Sequence, residues 1–185
     1  MLLAAGRSTR MGREKALLEW EGVPLWRRQR DVLAGAGAAE IFLSVRPEQA
    51  WAAQTAGFAA HVYDGLATGG PIVGLTAALE RAAHPHVAVL AIDLPRMPAA
   101  WLAALLAACA PGVGCVGRHA GPGGFFEPLA AVYPRELKWR AWEALARGEF
   151  SLQRLLGAAV AQGAMRVREI GADEAGHFEN WNEPP

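Results

Sequence analysis

Four cationic side chains lie in a short glycine-containing segment near the start of the chain. Residues 3–15 are Leu-Ala-Ala-Gly-Arg-Ser-Thr-Arg-Met-Gly-Arg-Glu-Lys, so the apolar residues stop at Ala5 and no acidic residue precedes Glu14. Glycines let a backbone curl around a ligand, and arginine and lysine supply charge for phosphate oxygens. The segment therefore predicts a phosphate-binding turn, and the alternative is a solvated basic loop. Its cations are Arg7, Arg10, Arg13 and Lys15.

Two common phosphate-binding loops do not match this segment. A Walker A loop has four residues between its glycines and then Gly-Lys-Ser/Thr, whereas five residues separate Gly6 from Gly12 and Arg13 follows. A dinucleotide fingerprint requires a second glycine where Ser8 stands. The sequence therefore excludes a Walker A loop and a dinucleotide-binding fingerprint in this segment.

A second candidate is a single carboxylate at the end of an apolar strand. Residues 87–92 are Val-Ala-Val-Leu-Ala-Ile, and Asp93 follows directly. Mg²⁺ takes oxygen ligands and commonly uses one or two carboxylates together with substrate phosphates. We therefore predict that Asp93 binds Mg²⁺, and helix capping is the alternative.

The elements that must position these groups alternate between short apolar and longer amphipathic segments. The expected strands cover residues 1–4, 40–45, 60–63, 86–92, 112–117, about 129–133 and 165–170. The expected helices cover residues 24–34, 48–56, 72–83, 99–108, 135–146 and 151–162. This pattern is typical of βα units winding a mostly parallel sheet, whose ligands collect beyond the carboxyl ends of the strands. With no linker or repeat, we predict a single α/β domain over residues 1–185.

Composition limits the classes of function. The formal net charge is zero, so no overall basic field favours nucleic acid, and we expect a small substrate. No apolar run approaches the roughly 18 residues that a membrane-spanning helix needs, so we expect no membrane contact. Cys109 and Cys115 show neither a metal-ligand pattern nor a disulfide framework, and we expect a cytoplasmic protein.

The histidines give no support to a zinc site or a hydrolase triad, because their spacing fits neither zinc ligation nor a nucleophile partner. We interpret them as structural or surface groups. They are His61, His84, His86, His119 and His177.

The first segment also matches the signature Leu-Ala-Ala/Gly-Gly-x-x-x-Arg-Met-Gly-x-(x)-Asp-Lys, with Glu14 replacing the usual aspartate. Together with the segments below, the chain resembles the molybdenum cofactor guanylyltransferase family of nucleotidyltransferases nearly end to end. The resemblance implies a Rossmann-like three-layer αβα sandwich of the nucleotide-diphospho-sugar transferase type. The nucleotide-binding residues that it implies are Leu3, Ala4, Ala5, Gly6, Lys15, Asp64, Gly70, Pro71 and Asp93.

A second loop is similar to the family's segment that closes over the nucleotide base. Asp64 is followed at residues 69–75 by Gly-Gly-Pro-Ile-Val-Gly-Leu, which resembles the family's Gly-Pro-Leu-x-Gly-Leu. Pro71 is expected to start a helix, since its φ is already set. Residues 43–46 lack an asparagine that the family often has there. Either Ser44 or the backbone replaces it, or base recognition differs.

Two further segments resemble the family's acceptor side. Residues 123–133 are similar to the Gln/His-Pro-Leu-x-Ala-x-Tyr segment, with Glu127 where an amide or imidazole is usual. Asn180 and Asn182 alternate, so we expect both to face the active site and bind the acceptor. Trp181, between them, is a candidate contact to the acceptor pterin.

The resemblance implies transfer of GMP from GTP to the phosphate of molybdopterin, with release of pyrophosphate and Mg²⁺ as cofactor. The expected catalytic residues are Arg10, Lys15 and Asp93. Ala5 leaves a cytidylyltransferase using CTP as an alternative, because Leu-Ala-Ala-Gly occurs in that branch. A sugar-phosphate nucleotidyltransferase and a non-catalytic nucleotide- or pterin-binding module are further alternatives. Candidate protein partners deliver molybdopterin or accept the product.

Overall fold

The computed structural model describes residues 1–6, 14–63, 70–121 and 123–181. The strands are β1 (Leu2–Leu3), β2 (Glu19–Trp20), β3 (Val23–Pro24), β4 (Phe42–Val45), β5 (Ala60–Tyr63), β6 (His86–Ala91), β7 (Gly114–His119), β8 (Ala130–Pro134) and β9 (Met165–Ile170). The α-helices are α1 (Leu25–Gly35), α2 (Pro71–Arg81), α3 (Ala99–Ala107), α4 (Lys138–Ala146) and α5 (Leu152–Ala161). Short 3-10 helices cover Lys15–Leu17, Ala50–Gln54, Arg135–Leu137 and Ala175–Phe178.

A seven-stranded sheet in the order β5-β4-β1-β6-β8-β7-β9 forms the centre of the fold. Among the strands in the described ranges, only β8 runs against its neighbours β6 and β7, and every other pairing in this sheet is parallel. The predicted mostly parallel α/β sheet is therefore confirmed. Strands β2 and β3 form a separate antiparallel ribbon. Within the described ranges, no helix has the length and apolar character needed to cross a bilayer.

Two apolar cores cover the two faces of the sheet. Successive residues of a strand point to opposite faces, and along β8 Val132 belongs to one core and Tyr133 to the other. The first core contains residues of α1 and α3, such as Leu33 and Leu102. The second contains residues of α2, α4 and α5, such as Leu79. The three-layer αβα sandwich is therefore confirmed.

The expected strands are all present, and β5 and β9 have the expected bounds. The helix expected at residues 48–56 is wrong in type, because the structure has a 3-10 helix at Ala50–Gln54. Its bonds span three residues, from the Thr55 amide to the Ala52 carbonyl. Thr55 is extended, at φ −90° and ψ 146°, and this change of backbone conformation ends the helix.

The β2–β3 ribbon is an element that the sequence did not predict. Each strand has two residues, which is too short for a recognisable alternation. The connecting residues Glu21 and Gly22 both have positive φ, at 53° and 77°. Such a pair forms the two-residue hairpin turn whose twist matches that of the strands.

Strand β1 lies between β4 and β6, with Leu3 opposite both Ser44 and Ala91. Because these three strands are parallel, the residues that follow them emerge at one edge of the sheet. These residues are the start of the cationic segment, the Arg46 region and Asp93. Since β8 is antiparallel, the turn that precedes it also lies at this edge.

Candidate active site

The cationic segment and the strand-end carboxylate meet at this edge. Lys15 begins a 3-10 helix, and its Nζ lies 3.1 Å from Oδ2 of Asp93. The two side chains are 19% and 25% exposed, so the ion pair is shielded yet open to a ligand. The structure thus brings together two of the three expected catalytic residues, while their catalytic roles stay predictions.

Arg46 and Gln49, which follow β4, form hydrogen bonds to both ends of the cationic segment. Nη1 of Arg46 donates to the carbonyls of Ala5 and Gly6, the latter at 2.8 Å. Nε2 of Gln49 donates to the Ala4 carbonyl at 3.1 Å and to Oε2 of Glu14 at 2.7 Å. Residues 4–6 and residue 14 are therefore joined through the same pair of side chains.

This arrangement orients the backbone at the start of the segment. In a trans peptide the N–H points opposite to the preceding carbonyl. With the Ala4 and Ala5 carbonyls directed at Gln49 and Arg46, the amides of Ala5 and Gly6 point away from those side chains. Amides presented in this way can bind phosphate oxygens.

Sequence reasoning missed the roles of Arg46 and Gln49, which contact residues more than 30 positions away. Their position directly after a buried strand was an available signal. Ser44, one of the candidates to replace the family's asparagine, is fully buried, and its carbonyl accepts the Ala4 amide at 2.9 Å. We therefore do not expect its side chain to contact a base.

The turn that carries Asp93 is supported from α1. Gln29 is fully buried, and its Nε2 donates to the Leu94 carbonyl at 2.5 Å and lies 3.5 Å from the Ala91 carbonyl. Nε of Arg28 donates to the Pro95 carbonyl at 2.5 Å. These contacts fix the backbone around Asp93. The available sequence signal was a glutamine on the apolar stripe of a predicted helix.

The expected base-binding loop leads into α2 through a glycine that adopts a left-handed conformation. Gly70 precedes the helix at φ 64°, and Pro71 occupies the first turn, which confirms the predicted helix start. Among the described residues other than its chain neighbours, no atom lies within 4 Å of the Cβ that a residue at Gly70 would carry. The positive φ is therefore the observed reason for a glycine at this position.

The C-terminal segment is attached to the same edge. The Trp181 amide donates to the Asp93 carbonyl at 2.9 Å, so Asn180 lies beside the turn that carries the carboxylate. The Trp181 ring packs edge to face on Trp20 at 5.3 Å. Arg96 stacks over Trp20 at 5.6 Å and bonds Glu179 at 2.6 Å. The segment is thus held by the β2–β3 ribbon.

A histidine and a glutamate form a short hydrogen bond near the start of β8. Nε2 of His119 lies 2.6 Å from Oε1 of Glu127. Burial raises the pKa of the Glu127 carboxyl, and the hydrogen bond from His119 partly opposes this. The sequence predicted no partner for Glu127, because its pairing with His119 depends on the fold of the loop between the two residues.

Comparison with known proteins assigns the family. The family model described as "MobA-like NTP transferase domain" matches residues 1–164. The chain belongs to this family. The probable molybdenum cofactor guanylyltransferase of Opitutus terrae is 42% identical over 99% of the chain and 89% of the relative. The probable enzyme of the same name from Deinococcus radiodurans is 35% identical over 99% and 88%.

Solved structures support the fold. A putative protein from Aquifex aeolicus aligns with a TM-score of 0.72 at 23% identity, covering 98% of this chain and 91% of that one. Molybdopterin-guanine dinucleotide biosynthesis protein A from Archaeoglobus fulgidus aligns with a TM-score of 0.70 at 21% identity, covering 99% and 91%. The expected nucleotidyltransferase fold is confirmed.

Three of the expected site residues of this MobA-like domain, Arg10, Asp64 and Asn182, lie outside the described residues. Among the described residues, no three His, Cys, Asp or Glu side chains are grouped to hold a metal. One oxygen of Asp93 accepts from Lys15, which leaves the other for a cation. This donor set fits Mg²⁺ that arrives with phosphate oxygens, and it does not fit a metal bound by protein alone.

Proposed function

We propose that the protein transfers GMP from GTP to the phosphate of molybdopterin and releases pyrophosphate. The observation that carries this proposal is the Lys15–Asp93 ion pair, which joins the cationic segment to a carboxylate at the edge where an α/β sheet binds ligands. The acceptor and the donor base come from the names of the two bacterial relatives, both probable molybdenum cofactor guanylyltransferases.

The residues of this chain would act by positioning and charge. The amides of Ala5 and Gly6 would bind the triphosphate, and Lys15 would place its ammonium beside it, with Arg10 as a second cation. An acceptor phosphate oxygen forms a bond to the α-phosphorus while the bond to the β-phosphate oxygen breaks. The departing pyrophosphate carries away the electron pair, and nearby positive charge stabilises it.

Asp93 would hold Mg²⁺ through the oxygen that Lys15 leaves available. When bound, Mg²⁺ neutralises phosphate charge and orients the reacting oxygens. Asn180 lies beside Asp93 through the Trp181 amide, so this side of the carboxylate would receive the acceptor, with Asn182 as a further contact. Asp64, Gly70 and Pro71 would contact the base. The proposed setting is the cytoplasm.

One alternative is a cytidylyltransferase, which Ala5 favours through the Leu-Ala-Ala-Gly sequence. The discriminating experiment measures pyrophosphate release from each of the four nucleoside triphosphates with Mg²⁺ and molybdopterin. We expect release with GTP that requires both additions, and a dinucleotide product by mass spectrometry. Preference for CTP would support the alternative. Release from none of the four would leave a binding module as the better description.

A further inference from the structure

The His119–Glu127 pair is built by two arms of a loop at the active-site edge. The His119 amide donates to the Phe125 carbonyl at 3.0 Å, and the Glu127 amide donates to the Gly117 carbonyl at 2.9 Å. Backbone hydrogen bonds thus position both residues, and their side chains approach each other to 2.6 Å. The pair is a defined feature of the loop and not a chance surface contact.

The pair lies on the opposite side of Asp93 from the cationic segment. In the sheet, β6 lies between β1 and β8, and β7 follows β8. The Ala91 amide donates to the Leu129 carbonyl at 2.8 Å, which places the turn after Glu127 against the end of β6. Since Asp93 is the second residue after β6, Glu127 and Asp93 share one edge of the sheet.

The pair retains unused hydrogen-bonding capacity. Oε2 of Glu127 and Nδ1 of His119 make no hydrogen bond to any residue in the ranges that the structure describes. Neither of these two atoms is fully buried. The side chains are 16% and 24% exposed, so both reach the surface. On the neighbouring strand β9, Arg168 is paired with Glu174 at 2.6 Å.

Aromatic rings flank the histidine. Phe125 lies 4.4 Å from the imidazole, tilted by 34°, and is 54% exposed. Phe178 contacts the imidazole edge to face at 5.6 Å and packs on buried Trp101. Phe125 therefore offers an exposed aromatic ring next to the imidazole that contacts the Glu127 carboxyl. This combination suits a planar heterocycle that carries N–H donors on one edge.

A pterin has such an edge, since its 2-amino group and the adjacent ring N–H point in the same direction and match the two oxygens of a carboxylate. We propose that Glu127, His119 and Phe125 form the site that recognises the pterin ring of the acceptor, with Glu127 accepting from this edge. The inference rests on the proposed function for the identity of the acceptor. His119 is a positioning residue, because its N–H holds the carboxylate as an acceptor.

The test compares binding of two small probes, 6-hydroxymethylpterin and 6-hydroxymethyllumazine, to the full-length protein by equilibrium dialysis. Lumazine carries an oxo group in place of the 2-amino group, so it presents an acceptor where the pterin presents a donor. We expect wild type to prefer the pterin by at least about tenfold. In Glu127→Gln, the side-chain carbonyl accepts from His119 and the amide points outward, so the preference should vanish or reverse.

The matched control is Glu143→Gln, since Glu143 is an exposed glutamate on α4 that is also paired with a neighbouring side chain, Arg147. It should keep the wild-type preference. An unchanged preference in Glu127→Gln would overturn the proposal, as would equal binding of both probes by wild type or no binding of either at millimolar concentration.

The binding assay needs no nucleotide, so it tests the pterin site separately from the proposed reaction. Absence of GTP-dependent pyrophosphate release together with an intact pterin preference would count against the proposed reaction alone.

Discussion

The two sides of Asp93 are built from different kinds of contact. Toward β1, the described groups that we propose to bind phosphate include the backbone amides of Ala5 and Gly6, which Arg46 and Gln49 orient. Toward β8, the groups are side chains that meet across the fold, such as His119 with Glu127. Backbone amides recognise phosphate, which every nucleotide shares, whereas side-chain pairs can recognise one heterocycle. The side toward β1 is therefore suited to binding the triphosphate, and the side toward β8 is suited to selecting the acceptor.

Removing the charge of Lys15 or of Asp93, the ion pair between the two sides, should cause the largest loss of kcat. We expect Lys15→Ala and Asp93→Asn each to lower kcat for pyrophosphate release by a hundredfold or more, because both groups act on charge that develops in the transition state. The measurement is steady-state kinetics with GTP, Mg²⁺ and molybdopterin. Thermal unfolding should show that both variants stay folded, since the pair is partly open to solvent.

A matched ion pair far from the site provides the control for this prediction. Glu143 on α4 and Arg147, the residue directly after this helix, approach to 3.3 Å and are largely exposed, so Arg147→Ala should leave kcat unchanged. If folded Lys15→Ala and Asp93→Asn turned over like wild type, the side toward β1 would not be the catalytic side.

A smaller loss is expected when the support of Asp93 is removed and its charge is kept. Gln29→Met replaces a buried glutamine by an apolar side chain of similar size and removes the donor to the Leu94 carbonyl. We expect kcat to fall about tenfold with KM for GTP little changed, because misplacement of a reacting group lowers rate more than binding. The Tm should fall by a few degrees.

This prediction separates positioning from simple stability. Gln29 is a positioning residue, so its effect on kcat should persist at temperatures well below the Tm of the variant. Gln162→Met, at the end of α5, is a glutamine control for which we expect wild-type kcat. A normal kcat in folded Gln29→Met would show that the turn keeps Asp93 in place without help from α1.

The contrast between the two sides also explains what the sequence could predict. Side-chain periodicity located every strand of the main sheet, and Pro71 marked the start of α2. These signals are local, as are the glycines of a phosphate turn. The bonds from Arg46 and Gln49, and the Trp20–Trp181 contact, join residues that are distant along the chain. Local patterns carry no information about such pairs before the topology is known.

Titration of Glu127 should give the smallest effect and the most direct test of the side toward β8. Burial raises the pKa of this carboxyl above its ordinary value of 4.5. Between the unfolded and folded pKa values, the folded chain binds more protons than the unfolded chain, so its free energy of unfolding falls as pH rises. Glu127→Gln lacks this proton. We therefore expect the Tm difference between the variant and wild type to shift in favour of the variant as pH rises above 4.5.

The expected gain is a few degrees at most, measured by thermal unfolding in matched buffers, with Glu143→Gln as the exposed control. A pterin that donates hydrogen bonds to Glu127 favours the ionised carboxylate. Saturating 6-hydroxymethylpterin should therefore reduce the pH dependence in wild type and leave Glu127→Gln unaffected. A Tm difference that stayed constant with pH would mean that folding does not perturb this carboxyl. The case for acceptor recognition would then depend on the Glu127–His119 geometry and the probe preference alone.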